Sequence, residues 1–430
     1  MVASVFVVVF IILLIAGIPV VFSLGMTSFV SAIVMWGVEG LPLDVLAQRM
    51  TSGFNSFTTV GIPLFLLAGK LMNAGTISHR IFKFAQDLVG RFPGGLGHVN
   101  VLASVIFSGM SGSVAADAAG LGQIEIQAMV REGFDVDFSA GITGASALIS
   151  PIIPPSVPMV TYAILAGTSV SAMFIGGIVP GLLMAAGLCI MVAIYAKKRN
   201  YPKSPAPSRA EVWHDFKRAI LPLMTPVIII GGIWTGWFTP TEAAAIAVLY
   251  SAILILFVYR SLTLKAFWAE LRKSMVDCAC IMFVMGGINM YGYMLTRTRI
   301  PLMLANWIVT ITDDPALILT MLIVFLLIIG CFMSTLESIM LFTPIFIPIL
   351  SAINYDPMTF GVVMCVTLMI GQLTPPFGTT LFVLTKITNM SMDRVVKACL
   401  PFAIPILIVV ALLVVFPPLV TFLPSLVLGT

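Results

Sequence analysis

The chain has 430 residues, of which 60% are hydrophobic and 9% charged, with a formal net charge of +4. A soluble domain carries about 25% charged residues, and here the apolar residues run in long blocks, which excludes soluble globular, disordered and nucleic-acid-binding classes. What remains is an all-α polytopic membrane protein of roughly ten to twelve spans or paired half-spans, each span needing ~20 apolar residues.

Residues 1–25 lack a basic n-region and a small-x-small cleavage site, so they read as a first spanning helix rather than a secretory signal. Residues 78–91 carry His79, Arg80, Lys83 and Arg91 against Asp87 and are expected on the cytoplasmic side. Residues 107–122, FSGMSGSVAADAAGLG, interrupt the membrane pattern. Their Gly and Ser clusters with short apolar arms predict a helical hairpin that enters the membrane and turns back. Backbone exposed at such a tip must be satisfied by protein, water or ligand, which makes it a candidate ion or substrate site. Residues 146–162, SALISPIIPPSVPMVTY, hold Pro151, Pro154, Pro155 and Pro158 and predict a spanning helix broken in its middle. Each proline frees a carbonyl four residues upstream. Together with the Ser150 and Ser156 hydroxyls these are hard oxygen ligands suited to Na⁺.

Residues 196–218 form the longest polar stretch, with seven basic residues against Glu211 and Asp215 and with three prolines. They read as an extended cytoplasmic linker. Spans at 219–238 and 241–259 return the chain to a second basic stretch, 260–273. Between these spans Thr239, Pro240 and Glu242 have the spacing of a helix-opening capping box. Further on, residues 330–339, GCFMSTLESI, offer Ser334, Thr335, Glu337 and Ser338 at a second hairpin tip. Residues 371–380, GQLTPPFGTT, offer Gly371, Thr374, Thr379 and Thr380 around Pro375-Pro376.

The two halves correspond at one offset. Pro154-Pro155 matches Pro375-Pro376 at 221 (375 − 154), and Phe134-Asp135 with Tyr355-Asp356 and Pro180 with Pro401 repeat it. Ser113 then falls on Ser334, Ser150 on Gly371, Ile153 on Thr374 and Pro155 on Pro376. The basic bias changes sides between the halves. Residues 78–91 are basic where 299–314 hold Asp313 and Asp314, and residues 165–176 are uncharged where 386–397 hold Lys386, Arg394 and Lys397. An inverted-topology repeat predicts this alternation, with two related oxygen cages, one per half. Asp117 and Glu337, few among intramembrane charges, read as local caps or partners of a basic residue. Lys70, Arg297 and Arg299 border apolar segments and can snorkel. Ser156, Asp117, Thr379 and Thr380 are the candidate substrate contacts.

Catalytic readings find little support. His79, His98 and His214 show no paired metal spacing, and no GxxxxGK[ST] phosphate loop exists, so the chain is not expected to be an enzyme or to hydrolyse ATP itself. The six cysteines read as small apolar packing residues.

Five stretches, GIPLFLLAGKLMNAG (61–75), SGSVAADAAGLG (111–122), IIPPS (152–156), GGIWTGWFTPTEAA (231–244) and LTPPFGTTLF (373–382), resemble the large membrane subunit of tripartite ATP-independent periplasmic (TRAP) transporters. The resemblance implies an elevator-type secondary transporter in the bacterial inner membrane, with two hairpins and two broken helices in a transport domain. It implies Na⁺, at two or more sites, as the co-transported ion, and a carboxylate such as sialic acid or a C4-dicarboxylate as substrate. A periplasmic binding protein and a small four-helix membrane subunit, here on a separate chain, are the implied partners. A stand-alone Na⁺/dicarboxylate symporter needing no binding protein is the alternative. By motif, the first Na⁺ site falls on Ser111, Ser113 and the carbonyls around Ser150, Ile153 and Pro155. The second falls on Ser334, Thr335, Gly371, Thr374 and Pro376. The implied division is scaffold helices at 1–75, a first transport half at 76–182, and scaffold helices with the linker at 183–298. A second transport half at 299–402 and a C-terminal membrane helix at 403–430 complete it.

Overall fold

A computed structural model describes residues 2–429 apart from 53, 54, 56, 75, 76, 313, 376 and 377, and every regular element among the described residues is helical. In chain order these are α1 (Val2–Ile15), α2 (Val20–Trp36), α3 (Leu43–Ser52), α4 (Phe57–Ala74), α5 (Ile77–Val89), α6 (Gly95–Ser111) and α7 (Val114–Arg131). Next come α8 (Val136–Ala147), α9 (Val157–Ala166), α10 (Val170–Arg199), α11 (Arg209–Trp234), α12 (Pro240–Ile253) and α13 (Leu264–Thr298). The chain closes with α14 (Ile300–Ile311), α15 (Pro315–Phe332), α16 (Thr335–Ala352), α17 (Pro357–Gly371), α18 (Thr379–Thr388), α19 (Met392–Val415) and α20 (Pro418–Leu428). Among the described residues seven helices are long and apolar enough to cross a membrane: α10, α11, α12 with the π turn that extends it, α13, α15, α16 and α19. The molecule is a multi-pass membrane protein.

Local chemistry adjusts two of the expected segments. The expected first span, 1–25, is divided. Gly17 takes a positive φ of 75° and Pro19 cannot continue the helix, so α1 stops at Ile15 and α2 starts at Val20. The polar linker is shorter than expected, because helix runs into it from both ends. Lys197, Lys198 and Arg199 form the last turn of α10, where cations meet the negative end of the helix dipole. Ser208 and Glu211 form a capping box that opens α11, leaving only residues 200–208 outside regular structure. The capping box between the next two spans forms as expected. Thr239 accepts from the Glu242 N–H at 3.3 Å, and the Glu242 carboxylate accepts from the Thr239 N–H at 2.8 Å. The span it opens ends in a π turn, Leu254–Val258.

The repeat is visible in the elements themselves. α7 and α16 begin at Val114 and Thr335 and end at Arg131 and Ala352, shifted by 221 at both ends (335 − 114 and 352 − 131). α8 and α17 begin at Val136 and Pro357, again 221 apart (357 − 136). The halves also exchange partners. α9, from the first half, packs on α16 and α17, while α18, from the second, packs on α7 and α8. Tyr162 of α9 donates to the Pro357 carbonyl at 2.7 Å at the start of α17. Arg394 of α19 makes a two-pronged contact with Asp137 of α8, at 2.7 and 2.9 Å.

Burial forms two apolar clusters. The larger gathers α4 to α12 and α15 to α20, including Phe107, Tyr162, Phe360 and Phe402. The smaller joins α1, α2, α3 and α13 through Phe6, Leu24, Leu46 and Tyr291, reaching α16 at Met340 and Leu341. Two of the three basic residues bordering apolar segments have partners: Lys70 of α4 pairs with Asp277 of α13, and Arg297 donates to the Tyr293 hydroxyl at 3.3 Å.

Candidate functional site

Two helices turn back at tips, and two break. The first tip is Gly112, between α6 and α7. Its φ of +57° ends α6 in a left-handed turn, and a Cβ there would collide with the Pro155 carbonyl oxygen. Only glycine lets the tip lie against the backbone of the first break, residues 148–156. Ser113 then caps α7, accepting from the Ala116 N–H at 3.5 Å. Ser111 is the last residue of α6.

The first break is sealed, with every residue from 148 to 160 buried. Prolines here free carbonyls, and some find new donors. The Ala147 carbonyl accepts from the Ser150 N–H at 3.2 Å, and the Pro151 carbonyl accepts from the Ser156 hydroxyl. Among the described residues no donor reaches the carbonyl oxygens of Ser150, Ile153 or Pro155. Ser156 also caps α9 through the Met159 N–H at 3.2 Å. Among the described residues Asp117 has no basic partner and caps no helix. It is buried, and its carboxyl accepts from the Ser150 hydroxyl at 2.7 Å, tying the α7 arm to the break.

In the second half Met333 occupies the tip and Ser334 caps α16. The Glu337 carboxylate returns to the Ser334 N–H at 3.3 Å, a complete capping box, so Glu337 is a local cap. The break follows Gly371, whose Cβ would strike the backbone of Gly330 in α15. Thr374 donates to the Ile370 carbonyl at 3.0 Å. Pro376 lies outside the described residues. Gln372 spans this region: its amide donates to the Thr335 hydroxyl at 2.8 Å and accepts from the Thr379 hydroxyl at 3.0 Å. Thr380 is buried, with no hydrogen-bond partner for its hydroxyl among the described residues.

These parts meet at one cavity of about 250 Å³, lined from the first half by Gly112, Ser113, Pro151 and Val157 and from the second by Ser334, Thr335 and Gln372. The N-terminal turns of α7, α9 and α16 all open on it. Among the described residues no lysine, arginine or histidine lines it. Helix N-termini present unpaired N–H groups and the positive end of the dipole, so the cavity favours an anion without a basic side chain. Of the expected site residues the cavity brings together Ser113, Ser334 and Thr335. Ser150, Ile153, Pro155 and Thr374 lie in the two breaks behind it, and Gly371 ends α17. Ser156, Asp117 and Thr380 are held within the packed wall, and Thr379 reaches the cavity through Gln372. Sequence reasoning passed over Gln372, which falls opposite Pro151 at the repeat offset. A long polar side chain beside a proline pair in an apolar helix was the available signal.

Comparison with known proteins places the chain. The family model described as "Tripartite ATP-independent periplasmic transporter, DctM component" matches residues 7–419. The chain is 43% identical over 417 residues to the sialic acid TRAP transporter large permease protein SiaM of Vibrio cholerae, covering 97% of each chain. It is 33% identical to the 2,3-diketo-L-gulonate TRAP transporter large permease protein YiaN of Escherichia coli, covering 96% of this chain and 95% of that one. It is 38% identical to the C4-dicarboxylate TRAP transporter large permease protein DctM of Pseudomonas aeruginosa, with 88% and 87% covered. Among solved structures the fold is similar to the YdaH transporter of Alcanivorax borkumensis, with a TM-score of 0.65 at 16% identity over 88% of this chain and 89% of that one.

Proposed function

We propose that this chain, which belongs to the DctM component family of tripartite ATP-independent periplasmic transporters, carries a carboxylate into the cell with Na⁺ as the driving ion. The observation that carries the reading is the convergence of three helix N-termini, from both halves, on one cavity with no basic lining residue. That arrangement fits a carboxylate, which accepts from outward-pointing N–H groups and leaves again without breaking an ion pair.

Na⁺ coupling is supported by the oxygens behind the cavity. The Ser150, Ile153 and Pro155 carbonyls have no donor among the described residues, and with Ser111 and Ser113 they compose a first cation site. Ser334, Thr335, Gly371, Thr374 and Pro376 compose a second. The exchange of α9 and α18 between the halves supports their moving as one body, elevator-fashion, against scaffold helices from 1–75 and 183–298. The relatives make sialic acid the first substrate to test and a C4-dicarboxylate the second. A small membrane subunit and a periplasmic binding protein complete the assembly.

The test is uptake of labelled acid into proteoliposomes holding the permease and its small subunit, with binding protein outside. Uptake should need an inward Na⁺ gradient and the binding protein, and Ser113→Ala or Thr374→Ala should shift the Na⁺ titration to higher concentration. Uptake that ignores Na⁺ overturns the coupling. Equal uptake without the binding protein favours the stand-alone symporter.

A further inference from the structure

A cavity of about 950 Å³ lies away from the helix breaks. It is a groove between α6 and α10, roofed at one end by the α5–α6 turn at Phe92 and Pro93. Its walls are mostly apolar, with Val101, Leu102 and Val105 on α6 and Leu182 and Cys189 on α10, and His98 on α6 is the one imidazole among the lining residues. Ala185, Ala186, Ala193 and Ala196 keep the α10 wall low. Its mouth is basic, formed by Lys197 and Lys203.

Three properties define what would fill it. From Leu182 to Lys197 the groove follows α10 for 15 residues, or about 22 Å at the α-helical rise. One leaflet with its headgroups measures about 20–22 Å. The mouth lies at the polar linker, which charge assigns to the cytoplasm. Neither Lys197 nor Lys203 has a carboxylate within ion-pair distance among the described residues. The nearby acids have other partners: Asp135 accepts from the Tyr201 hydroxyl at 2.6 Å and from Arg199, contacts that hold its carboxyl below the usual range, and Glu132 accepts from the Ser204 hydroxyl at 3.3 Å. The mouth is also fixed in place. The Ser204 N–H donates to the Gly90 carbonyl at 3.1 Å, and Tyr201 stacks on Phe134 with ring centroids 4.6 Å apart.

We propose that this groove is a binding site for one anionic glycerophospholipid of the inner leaflet. Its phosphate sits between Lys197 and Lys203, and an acyl chain lies along Leu102, Val105 and Leu182. The apolar length excludes a free anion as the occupant, and the two unpaired ammonium groups distinguish an anionic headgroup from a zwitterionic one.

The test is native mass spectrometry of the full-length permease, released from detergent after exchange into mixed micelles carrying phosphatidylglycerol or phosphatidylcholine. One phosphatidylglycerol should be retained per chain. Lys197→Gln with Lys203→Gln should lower its retention about tenfold while leaving phosphatidylcholine retention unchanged. Ala186→Trp, which fills the trough, should remove both, and unchanged melting temperatures show that the variants are folded. Equal retention of the two lipids by the wild type, or no change on substitution, means annular lipid only and overturns the site. Variants that keep the lipid but lose the small subunit on purification also overturn it, because the groove would then seat a protein neighbour.

Discussion

The two halves share one plan, yet they join hairpin to broken helix by different chemistry. In the first half a buried acid does it: Asp117 on the hairpin arm holds Ser150 in a break where every residue is buried. At the same repeat positions the second half has Ser338 and Gly371. Ser338 has no partner for its hydroxyl among the described residues. There the joining falls to an amide, Gln372, which bridges Thr335 and Thr379, and to direct backbone contact between Gly330 and Gly371. The second break is also the more open, with Pro375 and Thr379 exposed. The two halves thus share the breaks and their N-terminal turns, while the fastenings differ, one a sealed joint and the other an open one.

The comparison is tested most severely by crowding the two close backbone approaches. Gly112→Ala forces a side chain onto the Pro155 carbonyl in a left-handed conformation and should cost about 3 kcal/mol. Gly371→Ala meets the Gly330 backbone and should cost about 1–3 kcal/mol. Both should abolish uptake in proteoliposomes, and melting curves of the purified variants give the stability change. Full stability and full uptake in either would mean that the tip and break do not touch.

The next contrast is the buried acid against its counterpart. Asp117→Ala leaves the Ser150 hydroxyl without its acceptor inside a dry wall and should cost about 2–3 kcal/mol. Ser338→Ala removes an already unpartnered hydroxyl and should be neutral or slightly stabilising. Equal losses in the two variants would contradict the sealed-and-open distinction.

Much of this was legible in residues, and the division has physical causes. Proline pairs, glycine clusters and capping boxes act locally, so the breaks, the tips and the Thr239–Glu242 cap could be read from spacing alone. The offset of 221 holds at both ends of α7 and α16 and at the starts of α8 and α17, because insertions inside a packed repeat would misalign its caps. The fates of Asp117 and Gln372 were not legible. Each pairs across elements, Asp117 with a residue 33 positions away and Gln372 with one 37 away, and spacing carries no information at that range. The first span was misread for a different reason: hydropathy averages over Gly17 and Pro19, whose effect is conformational.

Gln372 supplies the next prediction. Gln372→Leu keeps the volume but takes away the donor to the Thr335 hydroxyl, leaving it only its weak bond to the Met369 sulfur at 3.9 Å, at a cost of about 1 kcal/mol. Its larger effect should be on the substrate concentration for half-maximal uptake, because the bridge fixes the α16 N-terminus at the cavity. Gln372→Asn, too short to span Thr335 and Thr379, should behave like the leucine variant. Restoration of normal uptake by asparagine would show that polarity there matters and bridging does not.

The smallest effect separates the two caps. Ser334 belongs to a complete box with Glu337, so Ser334→Ala should lower stability by about 1 kcal/mol. Ser113 accepts a single bond at 3.5 Å and has no returning carboxylate, so Ser113→Ala should cost only a few tenths of a kcal/mol. A serine that contributes so little to its own helix has its oxygen free for another partner, and the same variant is the one whose Na⁺ titration should move. Melting curves with and without NaCl join the two statements: Ser113→Ala should lose the salt-specific rise in melting temperature, while Ser334→Ala lowers the baseline. If the Ser113 variant keeps the full rise and loses as much baseline as the Ser334 variant, its hydroxyl is only a cap, and the proposed first cation site loses that ligand.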